Sequence, residues 1–287
     1  MAATPLPVLT MRNPVGIIAL DLDGTLLNSN KELSRRNYHA LEEAAHRGIQ
    51  IVPTTGRYYG ALPQVIREMP FVNYVITING AQVRDLRSGE VLYTAEIPWQ
   101  QAIEIMSFMD TLPVIYDCYM NDEAFMTAAL KEKINEHTTD PHYRKMLYEL
   151  RQPVPELKEF VAQRQMDIQK TQFFTMDGEL RRRMLEELPQ RFENLSVSSA
   201  LLHNVEINNI CANKGDAVLA LAAHLGYTAD NVMSFGDGSN DVPMLRAAGL
   251  GVAMANAFDD VKTHADYITG HCDEDGVADA IEKFCLQ

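Results

Sequence analysis

Apolar residues near both ends of the chain alternate between short continuous runs, typical of buried strands, and helical spacing, typical of amphipathic helices. In the N-terminal part this pattern predicts the strands 15–20, 49–56 and 73–80 and the helices 34–48 and 58–69. In the C-terminal part it predicts the strands 203–208, 231–238 and 250–254 and the helices 214–226, 240–249 and 275–285. Such alternation predicts a doubly wound α/β fold, with a parallel sheet between two layers of helices.

The middle of the chain has a different pattern. Helical spacing recurs at 98–112 and 178–192, whereas polar and apolar residues alternate at 114–120, 123–127 and 168–176, as in a sheet with one exposed face. Polar, proline-containing sequence between these strands predicts loops and short helices. We therefore predict a core formed by 1–85 and 201–287, an inserted α+β domain at 86–200, and hinges near 84–90 and 196–204.

The composition is that of a soluble globular protein, with 46% hydrophobic and 22% charged residues among 287. No apolar run is long enough to cross a bilayer. The first dozen residues contain Pro5 and Pro7, which predicts a loose N-terminus instead of a secretory signal. The net charge of −14 disfavours binding to nucleic acid or to an anionic membrane.

The four cysteines form no C-x-x-C pair, which favours a reduced, cytoplasmic environment over a disulfide framework. A zinc site built from His264, His271, Cys272 and Cys285 is disfavoured, because these residues lack a recognised ligand spacing. The composition therefore points to a cytoplasmic protein without a structural metal of this kind.

The predicted core strands end in residues that can carry chemistry. Ligands of doubly wound sheets bind at the carboxyl ends of the strands, so we expect these residues to meet. They are Asp21 and Asp23; Thr54, Thr55, Gly56 and Arg57; Asn79 and Gly80; and residues 236–241, with Lys214 opening the helix before this last strand.

This set of residues is chemically coherent. Clustered carboxylates of Asp21, Asp237 and Asp241 would repel one another unless a hard cation lay between them, and Mg²⁺ binds oxygen ligands together with substrate phosphate. Lys214 and the Thr55 hydroxyl can hold the remaining phosphate oxygens. A carboxylate can attack phosphorus and form an aspartyl-phosphate, while a second carboxylate protonates the leaving oxygen and later activates water.

Four segments resemble the four motifs of the haloacid dehalogenase-like (HAD) superfamily: DLDGTLL at 21–27, TTGR at 54–57, NKGDAVLAL at 213–221 and GDGSNDVPML at 236–245. Their order, with TINGA at 77–81 between them and a long insertion after the second, is similar to the Cof-type subfamily. That subfamily carries a class IIB α/β cap. The resemblance covers essentially the whole chain and implies a Rossmann-like HAD core with an inserted cap that determines specificity.

The resemblance implies that Asp21 is the nucleophile and that Asp23 is the general acid and base, so the two aspartates are not equivalent. It further implies a Mg²⁺ site made by Asp21, Asp23 through its backbone carbonyl, and Asp237, with Asp241 orienting a metal-bound water or Lys214. Asp23 would keep its side chain free to carry a proton.

The phosphoryl group and the substrate are assigned to a second set of residues by the same resemblance. Asn213 departs from the small polar residue more usual before the motif lysine. Within the cap, Tyr119, Met120, Lys170 and the loop 137–143 are candidates to face the substrate, although ordinary cap surface and core is the favoured interpretation. The implied phosphate- and substrate-binding residues are Thr55, Gly56, Lys214, Asn240, Asn79 and Arg57.

These features predict a Mg²⁺-dependent phosphatase that acts on a small phosphorylated metabolite, such as a sugar phosphate, through a covalent aspartyl-phosphate. We expect a monomer or weak homo-oligomer, with no nucleic-acid or membrane partner. Two alternatives stay open. One is a phosphomannomutase-like phosphotransferase, which returns the phosphoryl group to a sugar hydroxyl. The other is a non-catalytic regulator that binds a phosphorylated metabolite.

Overall fold

The computed structural model describes residues 13–139, 141–199 and 203–287. The predicted loose N-terminus, the middle of the predicted hinge at 196–204 and part of the loop 137–143 lie outside these residues. None of the helices in the described ranges is both long and apolar enough to cross a membrane.

The described strands and helices alternate along most of the chain. The strands are β1 (Ile17–Leu20), β2 (Gln50–Pro53), β3 (Tyr74–Thr77), β4 (Gln82–Asp85), β5 (Val91–Thr94), β6 (Ile115–Met120), β7 (Glu123–Thr127), β8 (Gln152–Val154), β9 (Lys170–Phe174), β10 (Leu195–Ser198), β11 (Asn204–Asn209), β12 (Val232–Gly236), β13 (Leu250–Ala253) and β14 (Tyr267–Ile268). The α-helices are α1 (Arg35–His46), α2 (Gln64–Arg67), α3 (Trp99–Met109), α4 (Ala128–Lys131), α5 (Ile134–His137), α6 (Pro141–Leu150), α7 (Leu157–Arg164), α8 (Gly178–Arg191), α9 (Lys214–His224), α10 (Val242–Ala247), α11 (Asp259–Lys262) and α12 (Gly276–Phe284).

Five parallel strands form the central sheet, in the order β14-β13-β12-β1-β2. β3 continues this sheet beyond β2, where the Thr55 N–H donates to the Ile76 carbonyl at 2.9 Å. Side chains of β1 point alternately to the two faces. Ile18 packs in the cluster that contains α1 and α12, whereas Ile17 packs in the cluster that contains α9. Helices therefore cover both faces, and the predicted doubly wound α/β core is confirmed.

A second, six-stranded sheet has the order β10-β11-β9-β6-β7-β8 and is antiparallel except between β7 and β8. Helices α3, α7 and α8 pack on one face of it. β11, which we predicted as a core strand, pairs here with β9 and β10. The domain bounds stay a prediction, and because of this pairing we propose that the second crossing between domains lies after Asn209.

The second sheet has no open face at its centre, in contrast to the pattern-based expectation. β6 and β9 are buried along their whole length. On the face opposite α3, α7 and α8, Ile134 of α5 and Leu147 of α6 pack with Phe174. The polar residues that alternate along these strands are therefore covered. The prediction of an exposed face was wrong, because polar residues at alternate positions can face a polar cavity as well as solvent.

The helix predicted at 58–69 is interrupted. A short 3-10 turn at Tyr59–Ala61 precedes Leu62, which is extended, and α2 follows after Pro63. Proline has no N–H to donate and disfavours helical backbone in the residue before it. Pro63 thus divides the segment, and the 3-10 turn lies near the carboxyl end of β2, where the Arg57 side chain donates to the Ala61 carbonyl at 3.1 Å.

We expect Ser34→Ala to lower the free energy of unfolding by about 1 kcal/mol, because the Ser34 Oγ accepts the Asn37 N–H at 3.0 Å and so caps α1. Urea denaturation measures this change. Ser107→Ala, on the exposed side of α3, is the matched control and should be neutral or slightly stabilising, since alanine favours helix. Equal losses in the two variants would argue against capping by Ser34.

Candidate active site

The carboxyl ends of β1, β2, β3 and β12 meet at a cavity of about 400 Å³ between the core and the second sheet. Lys214 and Asp241, also predicted from sequence, are buried just behind its wall. The structure thus brings all ten predicted site residues to one place. Those that line the cavity are Asp21, Asp23, Thr55, Gly56, Arg57, Asn79, Asp237 and Asn240.

Lys214 joins two carboxylates. Its Nζ donates to Asp21 Oδ1 at 2.6 Å and to Asp241 Oδ1 at 2.5 Å, and its side chain is fully buried. Burial alone would lower the pKa of Lys214, but the charges of the two aspartates raise it, so the ammonium stays charged. The preceding Asn213 caps α9 by accepting the Asp216 N–H, which accounts for an asparagine before the lysine.

The loop after β12 holds a second pair of carboxylates in place. Asp241 Oδ2 accepts the backbone N–H groups of Asp237 and Gly238, each at 2.9 Å. Asp237 Oδ1 accepts the Thr25 hydroxyl at 3.1 Å. Gly24, whose φ is +92°, lets the first loop approach, because a Cβ there would lie 2.5 Å from Asp237 Oδ2. The two loops therefore meet at Asp237.

Carboxylate oxygens of Asp21, Asp237 and Asp241 lie within 4.8 Å of one another. Burial raises the pKa of Asp21 to about 7, against the lowering effect of Lys214 and with a further contribution from its acidic neighbours. Burial and the charge of Asp241 raise the pKa of Asp237 to about 6. The cluster therefore concentrates negative charge that a bound cation would stabilise.

The Asp23 side chain was expected to be free to carry a proton, but it is held in an ion pair. Arg57 donates to both of its oxygens at 2.7 Å, and the Lys31 Nζ lies 3.0 Å from Oδ1. Burial favours a raised pKa for Asp23, but the hydrogen bonds and charge of Arg57, with Lys31, outweigh it and lower the pKa. Sequence reasoning missed this contact, since Arg57 lies 34 residues from Asp23.

Asn79 lies in a strained turn after β3. Ile78 and Asn79 have φ values of 53° and 58°, left-handed conformations that a β-branched residue such as isoleucine rarely adopts. The Asn79 side chain accepts from Asn240 Nδ2 at 3.2 Å and donates to Glu206 Oε2 at 2.9 Å. A Cβ at Gly56 would lie 2.8 Å from Asn79 Oδ1, so glycine permits this arrangement.

The second sheet contributes a polar wall to the cavity, formed by Tyr119, Arg151, Lys170 and Glu206, which we call the cap wall. Arg151 and Glu206 were missed from sequence; for Glu206 the alternation of polar residues in β11 was the available signal. Met120, a sequence candidate, instead packs in the apolar cluster on the other face of the sheet.

The residues considered for zinc are not assembled as a set. His271 and Cys272 group with Asp273, with ligand atoms within 4.8 Å, and neither His264 nor Cys285 belongs to this group in the part of the chain that the structure describes. The His271 Nδ1 already accepts the Asp273 N–H. This geometry is that of a local turn before α12.

A family model described as haloacid dehalogenase-like hydrolase matches residues 18–281. The chain is 30% identical over 281 residues to the 5-amino-6-(5-phospho-D-ribitylamino)uracil phosphatase YcsE of Bacillus subtilis (strain 168), covering 95% of this chain and 96% of that protein.

Solved structures share the whole fold. A haloacid dehalogenase-like hydrolase from B. subtilis superposes with a TM-score of 0.80 at 29% identity, over 93% of this chain and 99% of that one. The HAD subclass IIB sugar phosphatase BT4131 has the same fold, with a TM-score of 0.78 at 23% identity, over 95% of this chain and 100% of that one. The second sheet and its helices therefore correspond to a class IIB cap, and the chain belongs to the haloacid dehalogenase-like hydrolases of the Cof type.

Proposed function

We propose that this protein is a Mg²⁺-dependent phosphatase that hydrolyses a small phosphorylated metabolite through a covalent aspartyl-phosphate. The observation that carries the proposal is the buried contact of Lys214 with both Asp21 and Asp241, beside a second carboxylate, Asp23, that reaches the same cavity. The B. subtilis relative, a phosphatase by name, supports the reaction class.

The acidic cluster fits a hard divalent cation. It offers oxygen ligands alone, and the pKa values of Asp21 and Asp237 are raised by burial and by neighbouring charge. We assign the metal to Asp21, Asp237 and the backbone carbonyl of Asp23; when bound, Mg²⁺ would neutralise charge on the phosphoryl group. Asp241 already accepts hydrogen bonds at both oxygens, so we assign it to positioning Lys214 and the loop after β12.

In the first step, an Asp21 carboxylate oxygen attacks phosphorus. The new bond forms between Asp21 and phosphorus as the bond from phosphorus to the leaving oxygen breaks, and Asp23 donates a proton to that oxygen. Lys214 restricts the rotation of the Asp21 carboxylate by holding Oδ1. In the second step, Asp23 takes a proton from water, which attacks phosphorus and releases Asp21 and inorganic phosphate.

Arg57 must release Asp23 before Asp23 carries a proton, because a carboxylate held by a guanidinium at both oxygens favours its charged form. Phosphate oxygens accept hydrogen bonds from arginine in the same bidentate way. We propose that the arriving phosphoryl group competes for Arg57, and for Lys31 at the same carboxylate, and so frees Asp23. The pairing of Asp23 is then a resting state of the site.

Thr55, Gly56 and Asn240 surround the position of the transferred group. Thr55 lines the cavity, and its hydroxyl accepts the backbone N–H of Arg57 at 3.2 Å, which orients the hydroxyl. Gly56 keeps its N–H accessible because it has no side chain, and Asn240 is held by Asn79. We propose that these three groups and Lys214 hold phosphate oxygens through hydrogen bonds.

Chelation of divalent metal is expected to lower the hydrolysis of p-nitrophenyl phosphate at least about 100-fold, because the metal supplies several kcal/mol of charge stabilisation. Release of p-nitrophenol before and after treatment with a chelator measures the loss, and added Mg²⁺ should restore the rate. Full activity in the metal-free protein would contradict the proposed cofactor.

The two alternatives differ from the phosphatase in what happens to the phosphoryl group. A phosphomannomutase-like enzyme would interconvert hexose phosphates without releasing phosphate, and a regulator would bind a phosphorylated metabolite without turnover. Assays of phosphate release and of isomerisation, run together on sugar phosphates, nucleotides and pyridoxal phosphate, distinguish the three. We expect release of phosphate.

A further inference from the structure

The cap face that looks into the cavity is polar at alternate positions of three adjacent strands. Register places Tyr119 of β6 beside Lys170 of β9, and Glu206 of β11 beside Gln172 of β9. Because side chains alternate across a strand, Thr171 and Phe173 point to the opposite face, where Phe173 packs with α3, α7 and α8. The polar face is therefore built into the sheet.

Lys170 is the cationic side chain of this face whose ammonium has N–H groups available to a ligand. Its side chain is buried, and its Nζ donates to Glu206 Oε1 at 3.0 Å and lies 4.5 Å from the centre of the Tyr119 ring. An ammonium carries three N–H bonds. Across the described residues, Glu206 is the one hydrogen-bond acceptor that Lys170 Nζ reaches, although Lys170 lines the cavity.

Glu206 connects Lys170 to the core side of the cavity. Its second carboxylate oxygen accepts from Asn79 Nδ2 at 2.9 Å, and Asn79 in turn accepts from Asn240. Two charged groups removed from water are costly unless they are well paired or serve a ligand. The pair thus fixes Lys170 beside the part of the cavity that adjoins the phosphoryl site.

The two bases of the cap wall each have an acidic partner. Arg151 donates to Asp117 Oδ2 at 2.7 Å and to the Tyr119 hydroxyl at 2.6 Å, while Lys170 pairs with Glu206. Each base of the wall thus contacts an acid, Lys170 the wall residue Glu206 and Arg151 the buried Asp117 behind it, so the wall offers hydrogen bonds with little net field to attract a second phosphate or a carboxylate. A neutral group that accepts a hydrogen bond suits this surface.

We propose that Lys170, held in place by Glu206, is a specificity-determining residue that donates a hydrogen bond to an uncharged oxygen, a hydroxyl or a carbonyl, on the leaving group of the phosphate ester. This inference rests on the proposed phosphatase function and adds to it the residue that selects the alcohol. Phosphorus chemistry remains with Asp21 and Asp23, and Lys170 acts on the other half of the substrate.

The test compares two kinds of ester, with the 287-residue chain and Mg²⁺ present. Glycerol phosphate, ribose phosphate and glucose phosphate carry hydroxyl groups on the leaving group, whereas phenyl phosphate does not. We expect the unaltered protein to have a higher kcat/KM for at least one hydroxylated ester than for phenyl phosphate. Lys170→Met should lower that value about tenfold to a hundredfold, mainly through KM, since a charge-assisted hydrogen bond is lost.

Phenyl phosphate is the internal control for structural damage. Its kcat/KM should change no more than about twofold in Lys170→Met, because its leaving group carries no oxygen beyond the ester oxygen itself. Lys158→Met is the matched control: Lys158 is a partly exposed lysine of α7 that pairs with Asp110 at the end of α3, and its substitution should leave both esters unchanged. Equal losses for both kinds of ester would overturn the inference, since a purely structural role acts on all substrates alike.

A second variant guards against misfolding. Lys170→Met leaves Glu206 buried without its cation, whereas the double variant Lys170→Met/Glu206→Gln replaces the pair with neutral side chains of similar size. The double variant should show the same loss of preference for hydroxylated esters. If a folded double variant kept the preference for hydroxylated esters, the inference would be overturned and the proposed function would stand. If the unaltered protein hydrolysed none of the esters, both the proposed function and the inference would be overturned.

Discussion

Asp21→Asn is expected to reduce phosphatase activity by at least about 10³-fold, the largest effect that we predict for a single substitution. The amide oxygen of asparagine is a poor nucleophile, so the aspartyl-phosphate cannot form at a useful rate. The substitution keeps the shape of the side chain and removes one charge from a cluster in which burial already raises the pKa of Asp21. The fold should therefore persist.

Release of phosphate from p-nitrophenyl phosphate measures this loss, and circular dichroism checks the fold. Asp266→Asn is the matched control, because Asp266 accepts the Gly251 N–H near β13, outside the cavity, and asparagine retains an acceptor oxygen. Its activity should be unchanged. An Asp21→Asn protein within tenfold of normal activity would exclude Asp21 as the nucleophile, the tenfold margin being about 1.4 kcal/mol.

Lys214→Met is expected to lower both activity and stability. The substitution leaves Asp21 and Asp241 facing each other without the ammonium that now contacts both, and breaking a buried ion pair in this way costs about 3 kcal/mol or more. Activity should fall at least about 100-fold, because the Asp21 carboxylate loses its orienting contact and the phosphate loses a cation. Urea denaturation and phosphate release measure the two effects separately.

The double variant Lys214→Met/Asp241→Asn distinguishes the loss of stability caused by uncompensated charge from the loss of catalytic activity. It removes one of the two uncompensated carboxylates, so it should recover about 1 kcal/mol or more of the lost stability while activity stays low. Lys158→Met, at a partly exposed cap lysine that pairs with Asp110, should leave activity unchanged and lower stability by no more than about 1 kcal/mol. If the single variant were as stable as the unaltered protein, the proposed stabilising role of the buried ammonium would be wrong.

Most of the central sheet was predictable because its signals are local. Ser34 and Asn213 cap α1 and α9 within a few residues of themselves, and apolar runs such as 17–20 occupy strands buried on both faces. The convergence of Asp21, Thr55 and Asp237 follows as well, since neighbouring parallel strands end at the same edge of the sheet. Roles for these residues remain predictions from chemistry and resemblance.

Other features depend on contacts that no local pattern encodes. Asp23 is paired with Arg57, Asn79 reaches Glu206 across 127 residues, and β11 leaves the core to join the cap sheet. In each case the polar group has several possible partners in the chain. Burial makes pairing necessary, but which partner is available depends on which distant segment packs beside the group.

Local sequence patterns were sufficient to predict the doubly wound core, the inserted cap and the residues that meet at the carboxyl edge of the sheet, beginning with Asp21 and Asp23. Periodicity, capping and the common direction of parallel strands carry that information locally. The pairing of Asp23 and the composition of the cap wall became visible only in three dimensions, because the partner of a buried charge depends on how distant segments pack together.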